Sequence, residues 1–214
     1  MNDTICAIAT APGVGAIALI RVSGPAAIPL CDQLFLTKSG QKRLAEQPSH
    51  TVHLGQFQRD GYLIDEVVAT LFRAPHSYTG EDSVEISCHG STYIQQKIIR
   101  ILIEAGCRLA EPGEFTRRAF SNGKMDLSQA EAVADLIAST SAANHKLALQ
   151  QMRGGVSREI DKLRAQLLHF VTMIELELDF SEEQVEFANR QELNRLAAKL
   201  EKNVRQLTES FKLG

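Results

Sequence analysis

The apolar positions of the chain change their period near its middle. Up to about residue 120 they come in short runs. Thr4 to Thr10 and Ala16 to Val22 flank the turn Ala11-Pro12-Gly13-Val14-Gly15, which predicts a hairpin or two neighbouring strands. Pro25 to Phe35 predicts a short helix after Ser23-Gly24, with Pro29 confined to its first turn because proline has no amide to give further in. Thr51 to Gln58 and Leu63 to Phe72 flank Asp60-Gly61, a hairpin turn pair. Ser83 to Cys88 alternates, with Val84, Ile86 and Cys88 on one face and Ser83, Glu85 and Ser87 on the other. Thr92 to Ala105 then carries Ile94, Ile98, Ile101 and Leu102 on one helical stripe.

From about Met125 the spacing becomes three and four. Ser128-Gln-Ala-Glu131 fits a capping box, and Ala130, Val133, Ala134 and Ile137 follow at helical spacing. Gly154-Gly155 breaks the pattern before a second helix with Ile160, Leu163, Leu167, Val171 and Ile174 aligned. A third carries Leu193, Leu196, Leu200, Val204, Leu207 and Phe211. These stripes predict helices packed in a bundle rather than a coiled coil, which needs a longer heptad run. No stop signal precedes Gly214, so the expectation is a segment of a longer protein with some apolar helix faces exposed. The predicted class is α+β: a mixed-sheet domain followed by an α-helical bundle segment.

Composition narrows the function classes. The 214 residues are 44% hydrophobic and 23% charged, an ordinary folded mixture, and the net charge of -3 disfavours broad electrostatic binding of nucleic acid. Cys6, Cys31, Cys88 and Cys107 contain no C-x-x-C pair, which removes the common zinc and redox spacings. Cys88 and Cys107 lie in apolar runs and read as buried thiols. No basic region precedes the first apolar stretch, and no apolar run approaches the roughly 20 residues of a membrane span. The expected location is cytoplasmic, with no membrane partner.

The familiar site motifs fail on chemistry. Gly123-Lys124 ends like a phosphate loop, yet G-x-x-x-x-G-K-[ST] needs a glycine where Arg118 stands and a hydroxyl where Met125 stands. Gly13-Val14-Gly15 lacks the third glycine and the helix of a dinucleotide fingerprint. His50 and His53 have no third ligand near them, and there is no G-x-S-x-G elbow, so neither a metal site nor a catalytic residue is expected. His89, before Gly90, reads equally as a site residue or a strand-ending hydrogen-bond partner. Three charges then stand out: Arg21 at the end of an apolar strand, Glu85 on the polar face of another, and Lys124 ahead of the first bundle helix. Each alone reads as a solvated charge. Together, two cations and a carboxylate suit a ligand that carries carboxylates and a hydrogen-bonding heterocycle.

Several longer segments carry a resemblance. Asp3-Thr-Ile-Cys-Ala-Ile-Ala-Thr-Ala-Pro-Gly13, Ile20-Arg-Val-Ser-Gly24, Ser77-Tyr-Thr-Gly-Glu-Asp82 and Glu111-Pro-Gly-Glu-Phe-Thr-Arg-Arg-Ala-Phe120 resemble the MnmE (TrmE) family of tRNA modification GTPases. So do Asn122-Gly-Lys-Met-Asp-Leu-Ser-Gln-Ala-Glu-Ala132 and Leu178-Asp-Phe-Ser-Glu-Glu183. The resemblance implies a tetrahydrofolate-binding, dimerising domain over 1–120 and the first part of a helical domain over 121–214. It implies that the full-length protein, with the flavoprotein GidA (MnmG), adds an aminomethyl-type group (carboxymethylaminomethyl) to the wobble uridine of certain tRNAs. It places the family's folate contacts on Arg21, Glu85 and Lys124, with 5-formyltetrahydrofolate as the ligand, Glu85 facing the pterin ring and the site near a homodimer interface. The family's GTP, magnesium and potassium belong to a G domain whose phosphate loop does not occur in these residues, so no GTPase activity is expected of them alone. The family's Cys-Ile-Gly-Lys tail does not occur either, and His89-Gly90-Ser91 stands where the family often has Gly-Gly after the histidine. Two other readings stand beside this one: a free-standing folate-dependent aminomethyltransferase, and a purely structural dimerisation module.

Overall fold

The computed structural model describes residues 3–37, 43–179, 191, 194–199, 201, 202 and 205. The chain divides into two compact units, 1–125 and 126–214. In chain order the first unit contains β1 (Ile5–Ile8), β2 (Ile17–Ser23), α1 (Ala27–Leu34), β3 (Phe35–Thr37), β4 (Thr51–Arg59) and β5 (Tyr62–Phe72). It continues with β6 (Ser83–His89), α2 (Thr92–Glu104), β7 (Arg108–Leu109) and α3 (Glu114–Ser121). The strands form one sheet in the order β3-β4-β5-β6-β2-β1-β7, antiparallel throughout except for the parallel pair β1 and β7. This is the α+β, mixed-sheet architecture that the alternating runs predict.

Local chemistry explains the elements. Asp60 and Gly61 both take positive φ, 51° and 77°, as the tight turn between β4 and β5 requires. Pro29 sits in the first turn of α1, where its missing amide breaks no helical bond. One sheet face presents Ile20, Val22, Ala69, Leu71, Val84 and Ile86, which form a single core with Ile28 and Cys31 of α1 and Ile98, Ile101 and Leu102 of α2. Each such large apolar side chain contributes roughly 1.5–3 kcal/mol on burial. The four cysteines are free and buried, and burial pushes the Cys88 thiol up to about 11, so it stays protonated.

The opposite sheet face carries the alternate residues, including Leu19, Arg21, Val52, Leu54, Val68, Thr70, Glu85 and Ser87. Toward Ser23 it is closed by the buried Thr79 and by Glu81, which accepts the Ser23 hydroxyl. Away from Ser23 it is open, with Ile17, Val52 and Leu54 exposed.

The second unit contains α4 (Leu127–Ala138), α5 (Ala142–Met152) and α6 (Gly155–Asp179). Two expectations are corrected here. The capping box is not Ser128 with Glu131 but Asp126 with Gln129: the Asp126 carboxylate accepts the Gln129 amide at 2.9 Å, and Gln129 Oε1 accepts the Asp126 amide at 2.9 Å. Ser128 therefore falls inside the first turn. The run from Ala130 toward Gly154 is also two helices, because the chain turns extended at Ser139 and Ser141 caps the next helix by accepting the Asn144 amide.

The packing follows the small residues. Ala132 and Ala148 are buried, with Leu163 and Phe170, whereas Ile137, Ile160, Leu167 and Val171 of the expected stripes are exposed. Apolar helix faces are thus left open, as expected. Of the third predicted stripe, Leu193, Leu200, Val204, Leu207 and Phe211 lie outside the described residues.

Candidate functional site

Arg21 and Glu85, 64 positions apart in sequence, stand opposite each other across β2 and β6. Arg21 Nε donates to Glu85 Oε1 at 2.9 Å, and Nη2 lies 2.7 Å from the same oxygen. Their side chains keep 23% and 21% of their exposure, so neither is a freely solvated charge. The Arg21 guanidinium also lies over two aromatic rings, 5.0 Å from the centroid of Tyr78 and 5.5 Å from that of Phe115. Such cation–π contacts hold a guanidinium in one orientation. Tyr78 is itself positioned, because its hydroxyl pairs with Thr116 Oγ1 of α3 at 2.9 Å.

Lys124 reaches the same loop from the far end of α3. Gly123 takes φ 69°, the Gly123 amide donates to Phe120 O, and the Lys124 amide donates to Ala119 O. This is a Schellman closure of α3. Its backbone amides are consumed by the helix end and do not cradle a phosphate, which answers the Gly123-Lys124 motif on structural grounds. The Lys124 ammonium donates to Pro75 O at 3.0 Å, and Asn122 Nδ2 donates to Thr79 O at 2.7 Å. Gly80, at φ 78°, makes room for this approach: a Cβ there would lie 3.3 Å from Lys124 Cγ and 3.1 Å from Asn122 Cβ. Lys124 is exposed and keeps two of its three ammonium donors for another group.

Beneath this patch lies an ion-pair network that the sequence reading passes over. Arg118, the residue that spoils the phosphate-loop pattern, is 1% exposed. It donates to Asp3 Oδ1 at 2.7 Å, to Asp3 O at 2.8 Å, to Glu114 Oε1 at 3.0 Å and to Glu81 Oε1 at 3.2 Å. Arg108 donates to both Glu114 oxygens, at 3.0 and 2.6 Å, and Glu114 also accepts the Glu111 amide. Led by Arg108, these donors hold the Glu114 carboxyl down at about 2 against an ordinary 4.5. A depressed carboxyl contributes its stability above its unfolded value and loses it as pH falls toward the folded value. The stability of the first unit is therefore expected to drop by roughly 3 kcal/mol between pH 5 and pH 2 from Glu114 alone. Urea titrations at stepped pH check this, and Glu114→Gln gives a lower and flatter profile.

The remaining candidates resolve into packing. His89 is a strand-ending partner: Asp65 accepts its backbone amide at 2.8 Å and pairs with Nδ1 at 2.7 Å. Among the described residues no three metal-ligating side chains cluster, and no helix is long and apolar enough to cross a membrane. Three surface grooves of about 330, 300 and 330 Å³ border α2 or the β4–β5 turn, and Arg21, Glu85 and Lys124 line none of them.

The structure thus joins Arg21 directly to Glu85 and fastens Lys124 to the loop that carries Tyr78. Sequence reasoning misses Tyr78, Phe115, Thr116 and Arg118 as parts of this arrangement. The available signal is that all four lie inside the unusual segments Ser77–Asp82 and Glu111–Phe120.

Comparison with known proteins adds the following. Residues 4–124 match the family described as GTP-binding protein TrmE N-terminus, and residues 127–214 match the MnmE helical domain. A tRNA modification GTPase MnmE of Parabacteroides distasonis is 61% identical over 214 residues, covering 99% of this chain and 46% of that protein. Its namesake in Bacteroides fragilis is 61% identical over 213 residues, covering 100% of this chain and 46% of the relative. That of Christiangramia forsetii is 60% identical over 214 residues, covering 100% and 45%. The chain spans about half the length of the curated relatives it matches.

Proposed function

The chain belongs to the MnmE (TrmE) family, as its N-terminal and helical parts, and on that premise we propose that it is the folate-binding, dimerising portion of a tRNA modification GTPase. The ligand is 5-formyltetrahydrofolate or a related tetrahydrofolate. Glu85 accepts N–H donors of the pterin ring, while Arg21 and Lys124 take its polar or anionic parts. The observation that carries this reading is the convergence of the three charges on the loop 75–80: Arg21 covers Tyr78, Glu85 pairs with Arg21, and Lys124 rests on Pro75 and Gly80. Two cations beside one carboxylate complement a ring that donates hydrogen bonds and a tail that carries negative charge.

The open sheet face supports dimerisation. Val52 and Thr70 lie in one cross-strand row with Glu85 and Arg21, so the exposed apolar positions Val52 and Leu54 adjoin the charged pair. A second copy seated there places the ligand site near the interface. The longer protein binds GTP with magnesium and potassium in a separate domain, works with the flavoprotein GidA (MnmG) in the cytoplasm, and modifies the wobble uridine of tRNA. Residues 1–120 are the folate domain and 121–214 begin the helical one.

Calorimetric titration with 5-formyltetrahydrofolate tests the reading. Saturable binding is expected, with Lys124→Ala weakening it roughly tenfold through loss of one charge-assisted contact. Unchanged affinity in Lys124→Ala favours the purely structural role instead.

A further inference from the structure

Two of the chain's three tyrosines stand out into solvent: Tyr62, at the start of β5, is 80% exposed, and Tyr93, in the first turn of α2, is 71% exposed. The third, Tyr78, is held by Thr116. Lys97 lies between the exposed two. It follows Tyr93 by one helical turn, and it shares with Tyr62 the groove of about 330 Å³ between α2 and the β4–β5 turn. Arg100 continues the same stripe, so Tyr93, Lys97 and Arg100 fall on one face of α2.

These two cations are also the uncommitted ones. Among the described residues of the first unit, every other lysine and arginine side chain bonds to a carboxylate or a backbone carbonyl. Lys97 and Arg100 have neither a hydrogen bond nor an ion pair within the protein. The nearby carboxylates leave them free: Asp60 is taken up by Arg59 at 3.4 Å, and Glu104 lies a turn beyond Arg100, at the end of α2. The unopposed positive charge therefore sits on the Tyr93 side of the helix.

We propose that this face binds an unpaired stretch of RNA, with phosphates on Lys97 and Arg100 and bases stacked on Tyr62 and Tyr93. Cations without partners neutralise phosphates with no ion pair to break, and exposed rings offer π faces that any base can use. A double helix keeps its base faces stacked inside and gives the two tyrosines nothing to pack on, so a loop is favoured over a duplex. An acidic peptide satisfies the cations but leaves the pair of exposed rings unexplained. With a net charge of -3 the chain has no broad basic surface, so the patch holds a few nucleotides and not a whole RNA. The inference lies outside the folate site. It rests only on the reading that the longer protein acts on tRNA, and it says where this chain meets that RNA.

Fluorescence anisotropy with a labelled anticodon stem–loop RNA, beside a blunt RNA duplex of equal length, tests the proposal. The stem–loop is expected to bind roughly tenfold more tightly or better. Tyr62→Ala and Tyr93→Ala should each weaken it roughly fivefold or more, whereas Tyr62→Phe and Tyr93→Phe keep it within about twofold. Lys97→Gln combined with Arg100→Gln should reduce the slope of log affinity against log salt by about 1.4, the share of two single-strand phosphates. All four side chains lie at the surface, so thermal unfolding and 5-formyltetrahydrofolate affinity should match the wild type in every variant. Equal binding of stem–loop and duplex, or full affinity in both alanine variants, overturns the inference. So does displacement by polyglutamate as readily as by unlabelled RNA, or no RNA binding at low salt. None of these results touches the folate titration, which judges the ligand site separately.

Discussion

Replacing Arg118 with methionine is expected to destabilise the first unit by about 3–5 kcal/mol. The side chain is 1% exposed, and its donors serve Asp3, Glu81 and Glu114, whose segments are far apart in sequence. Removing the cation leaves the fully buried Glu114 carboxylate with Arg108 and the more distant Arg117, and Glu81 without its Arg118 guanidinium. The loss comes less from the Coulomb attraction forgone than from carboxylates left buried and underpaired, since whole buried ion pairs can be replaced by apolar groups at little net change. Arg118→Met combined with Glu114→Met should therefore recover part of the loss. Lysine at 118 keeps the charge but not the planar fork, and should fall between wild type and methionine. Urea denaturation followed by circular dichroism ranks the variants. For a domain whose total stability is typically about 5–15 kcal/mol, the single change is severe.

Glu85→Ala is expected to act in the opposite sense, sparing the fold and removing the ligand. Glu85 is partly exposed and its pair with Arg21 lies near the surface, so its loss should cost about 1 kcal/mol of stability or less. Affinity for 5-formyltetrahydrofolate should fall by a hundredfold or more, because Glu85 is the one acceptor among the three charges and the Arg21 guanidinium loses its partner. The two substitutions thus separate the network that shapes the patch from the groups that use it. A Glu85→Ala protein that unfolds with Arg118→Met, or that keeps full affinity, contradicts that division.

How much of this was legible beforehand depended on where the stabilising contacts lie. The strands from Thr51 to Phe72 and the helix from Thr92 carry their own pattern, alternation around Asp60-Gly61 in one case and the stripe Ile98, Ile101, Leu102 in the other. Each was readable because its core face is built from residues near in sequence. Helix α3 was not, since its apolar face is only the short pair Phe115 and Ala119, and it is held by Glu114 and Arg118 pairing beyond the helix. The cap at Asp126 was missed because aspartate and glutamine close a box as well as serine and glutamate, and only the helix start decides between them.

At the site, residue chemistry and family resemblance pointed to Arg21, Glu85 and Lys124, but contact between the first two follows from the β2–β6 register and from no local signal. That Lys124 reaches Pro75 depends on the left-handed turn at Gly123, which a glycine permits without announcing where the lysine goes. The rings of Tyr78 and Phe115 are invisible as partners of Arg21 until the loop and α3 are folded against β2.

As proposed, the Arg21–Glu85 pair and Lys124 form one ligand site on the loop 75–80. Mapping NMR shift changes while 5-formyltetrahydrofolate is titrated into the chain tests it most directly. Saturable changes are expected to concentrate at Arg21, Tyr78, Glu85, Phe115 and Lys124, with the α2 groove around Ile99 and Ile103 unmoved. Changes centred on that groove, or none in a folded protein at millimolar ligand, would contradict it.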